Sequence, residues 1–331
     1  MINQQSPFIQ RQQSVTFIML MVLLALFPAI VINCYYYGIG IILNIILASI
    51  TALFAEFIIL KIRNINPHSS LMDGSALVAA WLLALSIPTI APWWIIFIGV
   101  IFTIVVAKHF YGGLGSNLFN PAMIGYAVLL ISFPSIMTKW PAASNISIHQ
   151  SLDLFLSGTT LSFDGISSAT PLDYIKTELM QGRTLDEIKD AATISLSSAS
   201  IYYLAIAYCL GGIFLLLKKI ITWHLPITFL VSIGLVSALL NLIDPQQFAN
   251  PFFHLINGGT LLCAFFILTD PVSGPTTPKG KIIFAFFAAL IVLLIRNFGG
   301  YPEGIAFAII FLNICVPLID KLTQPKVFGH E

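Results

Sequence analysis

The chain has 331 residues, of which 58% are hydrophobic and 9% charged, with a net charge of +1. A soluble domain is roughly 45–50% apolar and about 25% charged, so this chain cannot coat a water-exposed globule, and it lacks the charge of a disordered one. Apolar runs recur to residue 319, which excludes a single signal peptide or anchor, and the near-neutral balance leaves no basic face for nucleic acid.

A helix needs about 20 apolar residues to cross the hydrocarbon core. Spans are expected near 15–35, 39–61, 72–88, 91–109, 118–135, 198–217, 222–243, 252–269, 281–298 and 302–319, ten in all. The third, fifth, eighth and tenth carry Gly, Pro, Asn or Asp near an end and are candidates for short or broken helices. Backbone broken at membrane depth must be buried in protein or line a cavity. Cys34, Cys209, Cys263 and Cys315 lie far apart in apolar runs and read as packing residues. The histidines show no paired spacing, so no metal site is expected.

With the N-terminus in the cytoplasm, Arg11, Lys61, Arg63, Lys108, Lys218, Lys219, Lys279, Lys281, Lys321 and Lys326 all fall on the cytoplasmic side. The short outer loops 36–38, 89–90 and 244–251 hold no Lys or Arg. The positive-inside rule selects this orientation, with both termini cytoplasmic. Arg296 falls at the outer end of a span, and the remaining bases lie in one long outer loop, residues 136–197. That loop holds seven of the 14 acids: Asp153, Asp164, Asp173, Glu178, Asp186, Glu187 and Asp190. It divides the chain into a first five-helix membrane repeat (1–135), a periplasmic loop (136–197) and a second five-helix repeat (198–331).

An odd number of spans per half gives the halves opposite orientations, and sequence echoes support a duplication. Gly74-Ser75-Ala76-Leu77 is echoed by Gly259-Thr260-Leu261-Leu262. Lys108-His109-Phe110-Tyr111-Gly112-Gly113 is echoed by Arg296-Asn297-Phe298-Gly299-Gly300. Pro134 is echoed by Pro317. Inverted repeats place a site between discontinuous helices.

The informative stretch of the loop is Phe163-Asp164-Gly165-Ile166-Ser167-Ser168-Ala169-Thr170-Pro171-Leu172-Asp173. Asp164-Gly165 is turn chemistry. Thr170 is a candidate N-cap, with Pro171 at the first helical position and Asp173 in the first turn of a helix over 171–181. A second helix begins at Thr184 with a capping box to Glu187. Taken alone, these residues describe a capped surface helix.

The same stretch resembles the Asp-x-x-(Ser/Thr)-Gly-Ala-Thr acceptor signature for covalent FMN. Asp164, Ser167, Ala169 and Thr170 match, and Ser168 replaces the usual glycine. Leu118-Phe119-Asn120-Pro121-Ala122-Met123-Ile124-Gly125-Tyr126, Leu268-Thr269-Asp270-Pro271-Val272-Ser273, Asn297-Phe298-Gly299-Gly300-Tyr301-Pro302-Glu303-Gly304 and Asn313-Ile314-Cys315-Val316-Pro317-Leu318-Ile319-Asp320 extend the likeness along the chain. Together they resemble the NqrB/RnfD family, the membrane subunits of sodium-pumping NADH:quinone reductase and of the Rnf electron-transport complex. Only about 14 residues precede the first span, which favours the Rnf D-type subunit over the quinone-reductase B-type.

The resemblance implies a urea-transporter-like all-α fold and FMN joined to Thr170 as a phosphoester by a flavin transferase outside the cytoplasm. A phosphate there would sit at a helix N-terminus, where free N–H groups and the dipole favour an anion. The resemblance further implies a bacterial inner-membrane complex that couples electron flow between ferredoxin and NAD to sodium or proton movement. A second, noncovalent flavin, riboflavin, is implied within the membrane, and Asn120 and Asp270 could line its site; as residues alone, both mark helix boundaries next to proline.

Glu56 is expected to snorkel or to pair with a basic neighbour, and Asp73 to suit the N-terminal dipole of the third span. His109, His224 and His254 are expected near the interface. Trp81, Trp93, Trp94, Trp140 and Trp223 mostly suit an aromatic belt. No GxGxxG or P-loop occurs, so NADH chemistry must sit on a partner. The expected function is that of a redox-complex subunit that binds its partner subunits within the bilayer and has no catalytic residue of its own. The rival readings are the B-type quinone-reductase subunit and a urea-transporter-like channel.

Overall fold

The computed structural model describes residues 14–142, 146–157, 167–191 and 199–325. Among the described residues, six helices are long and apolar enough to cross a membrane: α1 (Val15–Tyr37), α2 (Gly40–Ile62), α11 (Ala199–Leu217), α12 (His224–Ile243), α15 (Pro278–Phe298) and α16 (Ile305–Thr323). At 1.5 Å per residue, a 23-residue helix such as α1 reaches about 34 Å, enough for the hydrocarbon core. Ser14 caps α1 by accepting from the Phe17 N–H at 3.2 Å, and Gly38, at φ 84°, ends it.

Between these stand shorter pieces. They are α3 (Pro67–Leu71), α4 (Ser75–Ser86), α5 (Trp93–Ile101), α6 (Pro121–Ser132), α7 (Pro134–Met137), α8 (Ile148–Ser157), α9 (Pro171–Met180), α10 (Leu185–Ala191), α13 (Pro251–Ile256) and α14 (Thr260–Leu262). Two runs continue in π geometry: Phe102–His109 after α5, and Cys263–Ile267 after α14. Hydrophobic patterning gives no sign of this widening, which is rare and often marks a functional region.

The third and fifth expected spans are short, at 12 residues each. The eighth is broken: α13 stops at Ile256, Asn257-Gly258-Gly259 is not helical, and α14 restarts at Thr260. The tenth is continuous, because Pro317 sits inside α16 without ending it.

The first and second halves of the chain interlock. Helix α1 lies along α11, and α6 touches α16. A Cβ at Gly211 would collide with the Ala25 carbonyl oxygen, so glycine is what lets α1 and α11 approach so closely. The large apolar side chains of α1, α2 and α12 that remain exposed, among them Leu24, Phe27, Ile50, Phe54, Leu235 and Leu239, suit contact with lipid.

Several polar side chains depart from the expectations. Glu56 does not snorkel; it is 0% exposed, paired with Lys108, with His109 Nε2 3.2 Å from the same carboxylate oxygen. The expected pairing with a base is thus present, and Lys108 comes from the π-helical run after α5. His109 and His254 are buried rather than interfacial. Trp81 gives its ring N–H to Ser49 at 3.0 Å, and Trp94 packs edge-on against Phe133, so both serve helix packing; Trp93 and Trp223 are exposed. Asp73, by contrast, lies at the N-terminal end of α4 as expected, accepting from the Ser75 N–H at 2.7 Å.

Candidate functional site: a cavity beneath the Thr170 helix

A short ladder positions the acceptor motif. Strand β1 (Trp140–Pro141) pairs antiparallel with β2 (Ser167–Ser168), with Trp140 opposite Ser168 and Pro141 opposite Ser167. This fixes where Ala169 and Thr170 emerge. Thr170 has extended backbone angles, and its hydroxyl accepts from the Asp173 N–H at 3.2 Å. Pro171 takes the first helical position, where its missing N–H costs nothing. The expected cap and helix are thus present, with α9 closing at Met180. The capping box is present too: Thr184 N–H donates to Glu187 at 2.9 Å. Asp164 lies outside the described residues.

Helix α9 is docked. Lys176 Nζ donates to the carbonyls of Ile295 at 3.0 Å and Tyr301 at 2.6 Å, at the C-terminal end of α15, where a cation suits the helix dipole. Ile175, Leu185, Ile188 and Ala249 form a small apolar cluster under α9 and α10. Burial pushes the Lys176 ammonium below its usual range, opposed by Asp173, and pushes the Asp173 carboxyl up, opposed by Lys176.

Beneath Thr170 lies a cavity of about 550 Å³. Its walls come from both halves of the chain: Tyr37, Ile41, Ile87, Met123 and Tyr126 from one, Leu204, Tyr208, Leu262 and Ile305 from the other. Trp140 and Ser168 through Asp173 form the rim. Trp140 therefore faces this cavity rather than serving only as a belt residue. The broken eighth span contributes Ile256, Asn257, Gly258 and Gly259 to the lining, as broken backbone at membrane depth requires.

An ion pair between buried Arg296 and half-buried Glu303 braces that break. Arg296 donates from Nη1 to the His254 carbonyl at 3.0 Å and from Nη2 to Thr260 Oγ1 at 2.9 Å and Glu303 Oε2 at 2.7 Å. Glu303 in turn accepts from the Gly259 N–H at 3.1 Å. Gly258 has φ +66°, and a Cβ there would collide with the Glu303 carboxylate. The sequence flagged Arg296 as a span end and Glu303 as part of a motif. Neither was seen to meet the break, because the contacts join residues about 40 positions apart.

Asn120 and Asp270 do not line this cavity. Asn120 caps α6 by accepting from Met123 N–H at 3.3 Å and donates to the Ile267 carbonyl at 3.2 Å. Asp270 accepts from the Val272 N–H at 3.1 Å and the Ser273 hydroxyl at 2.7 Å. Asn313 links the two, accepting from the Asn120 N–H at 3.0 Å and donating to the Ser273 carbonyl at 2.8 Å. The structure thus gathers Asn120 and Asp270 into one polar knot, separate from Thr170.

Six apolar helices of spanning length, interlocked around a cavity under a docked polar segment, define a multi-pass membrane protein. The chain belongs to the NQR2, RnfD, RnfE family, whose profile matches residues 2–329. It is 45% identical to the D-type subunit of the ion-translocating oxidoreductase complex of Escherichia coli O17:K52:H18, over 98% of this chain and 97% of that protein. The corresponding D-type subunits of Escherichia fergusonii and Salmonella paratyphi A are 46% and 47% identical over the same shares of the two chains.

Proposed function

We propose that the chain is the membrane subunit of an ion-translocating electron-transport complex and carries FMN on Thr170 as a phosphoester. The observation that carries the reading is the placing of one hydroxyl. Thr170 is half-buried, stands at the start of a 10-residue helix, and borders a cavity of about 550 Å³ lined by Tyr37, Tyr126, Trp140 and Tyr208. That volume lies within the 300–1,000 Å³ typical of small-molecule sites. Ser168 and Ala169 keep the rim small. The first turn of α9 offers N–H groups to a phosphate, including that of Asp173, which Thr170 now accepts.

FMN would supply the acceptance and release of electrons. The chain's own residues seat and orient it: the ladder and Lys176 hold Thr170 at the rim, aromatic and aliphatic walls exclude water, and the Arg296–Glu303 pair keeps the broken helix open as lining. Electrons would pass between neighbouring subunits linked to ferredoxin and NAD, coupled to sodium or proton movement. A flavin transferase would load Thr170 from outside the inner membrane. Noncovalent riboflavin at the Asn120–Asp270 knot belongs to the same proposal.

The reading includes ten membrane segments in two inverted repeats, 1–135 and 198–331, flanking the periplasmic loop 136–197, with both termini cytoplasmic. Matching contacts at the echoed positions support the duplication. Gly74 and Gly259 each precede a helix start. Lys108 donates to the Ser75 hydroxyl at 2.8 Å, as Arg296 does to that of Thr260. Each cation also pairs with a glutamate, Glu56 or Glu303.

The test is a denaturing gel of native membranes with the transferase present. A flavin-fluorescent band is expected at the subunit's 36.3 kDa and should vanish in Thr170→Ala. A dark wild-type band would refute covalent FMN.

A further inference from the structure

The charge around the cavity is one-sided. Among the described residues lining it, the carboxylates are Asp173 and Glu303, and no Lys, Arg or His is present. The nearest cations are set back from the lining. Arg296 is buried behind Glu303, its side chain 1% exposed. Lys176 spends its ammonium on the Ile295 and Tyr301 carbonyls.

The Glu303 carboxylate is held in place. Its two oxygens accept from Arg296 Nε at 3.2 Å, Arg296 Nη2 at 2.7 Å, Gly259 N–H at 3.1 Å and Gly304 N–H at 2.9 Å. Four donors on one carboxylate leave it no freedom to turn away. A carboxylate so held raises the energy of any added negative charge nearby, the more so where protein and lipid exclude water. Arg296 offsets this only in part, since Glu303 stands between it and the cavity.

We propose that Glu303, together with Asp173, lowers the reduction potential of a flavin seated in this cavity; the proposal rests on the covalent-FMN reading above. Electrons arriving on the ring system meet two carboxylates and no cation at the wall, so the oxidised form is favoured. Glu303 thereby acts as a positioning residue for the broken helix and as the electrostatic setting of the bound group. A bracing role alone would change stability and leave the potential untouched.

The experiment is a spectroelectrochemical titration of the full chain, purified in detergent after co-expression with a flavin transferase, so that its own flavin is the one observed. Wild type, Glu303→Gln and Asp173→Asn are first checked for in-gel flavin fluorescence. Both substitutions remove a charge at nearly constant volume. Each is expected to move the midpoint to a more positive value, with at least a tenfold higher reduced-to-oxidised ratio at the wild-type midpoint, about 30 mV for a two-electron couple. Glu303→Gln should move it further, because Arg296 is then uncompensated. Fluorescent variants whose midpoint is unchanged or lower would overturn this proposal and leave the flavin reading standing. Wild type without fluorescence would overturn both. If Glu303→Gln does not accumulate, Asp173→Asn decides alone: an unmoved midpoint overturns the proposal and a positive shift supports it.

Discussion

Replacing Gly258 by alanine tests the account of the broken helix most directly. The residue has φ +66°, and a Cβ there would collide with the Glu303 carboxylate and come within 2.7 Å of Leu172 Cδ1 and 2.9 Å of Arg296 Nη2. Two costs combine. The left-handed backbone conformation costs a residue with a Cβ about 1–2 kcal/mol. To make room, Glu303 must also leave at least one of its donors, and a hydrogen bond to a charged group is worth about 1.5–3 kcal/mol. The sum is roughly 2.5–5 kcal/mol. Gly182 supplies the control: its φ is +83°, yet a Cβ there meets nothing within 4 Å, so Gly182→Ala should cost only the backbone strain. The assay is thermal unfolding of the detergent-purified chain, followed by loss of the monodisperse peak. At about 2 °C per kcal/mol for a chain larger than 150–250 residues, the lost donor alone should make Gly258→Ala melt about 3–6 °C below Gly182→Ala. Equal melting of the two would show that the ion pair does not brace the break.

Other outcomes follow from the same contacts. Lys108→Met strands the fully buried Glu56 carboxylate, which should cost about 3–5 kcal/mol; adding Glu56→Gln should recover much of that loss in the same melting assay, and an additive double mutant would contradict the pairing. Lys176→Met leaves the Ile295 and Tyr301 carbonyls without their donor and frees α9 at about 1.5–3 kcal/mol per bond. Limited proteolysis within residues 136–197 should then speed up, whereas wild-type cleavage rates would mean that α9 is held elsewhere. Thr170→Ser keeps an acceptor hydroxyl that can also cap α9, so it should retain fluorescence that Thr170→Ala loses; a dark serine variant would mean that the methyl group is needed for attachment.

Local features were legible before any coordinates. The Thr170 cap, Pro171 at the first turn and the Thr184–Glu187 capping box depend on residues within three positions of each other, so spacing alone describes them. The long apolar helices were legible for the same kind of reason, since hydropathy over about 20 residues is a local sum. The site was legible in part. Thr170 was visible as a motif, but the cavity was not, because its walls are contributed by residues from Asn33 to Ala306. Asn120 and Asp270 were chosen for their proline neighbours, and the hub that joins them, Asn313, carried no local mark. That Glu56 would pair with a base was legible, but not that the base is Lys108, because the π-helical run that delivers it is invisible to hydropathy.

Composition and local pattern determined that this chain lives in a membrane, where its helices start, and where the Thr170 cap falls. These depend on solvation and on hydrogen bonds between near neighbours. Tertiary structure alone decided that, of the four candidate spans, it is the eighth that breaks at Gly258 while the tenth runs on, that Arg296 and Glu303 brace the break, and that Thr170 stands over a cavity walled by both halves. Those outcomes rest on charge pairs and close approaches between residues far apart in sequence, whose burial must be compensated by whichever partners the fold brings within reach.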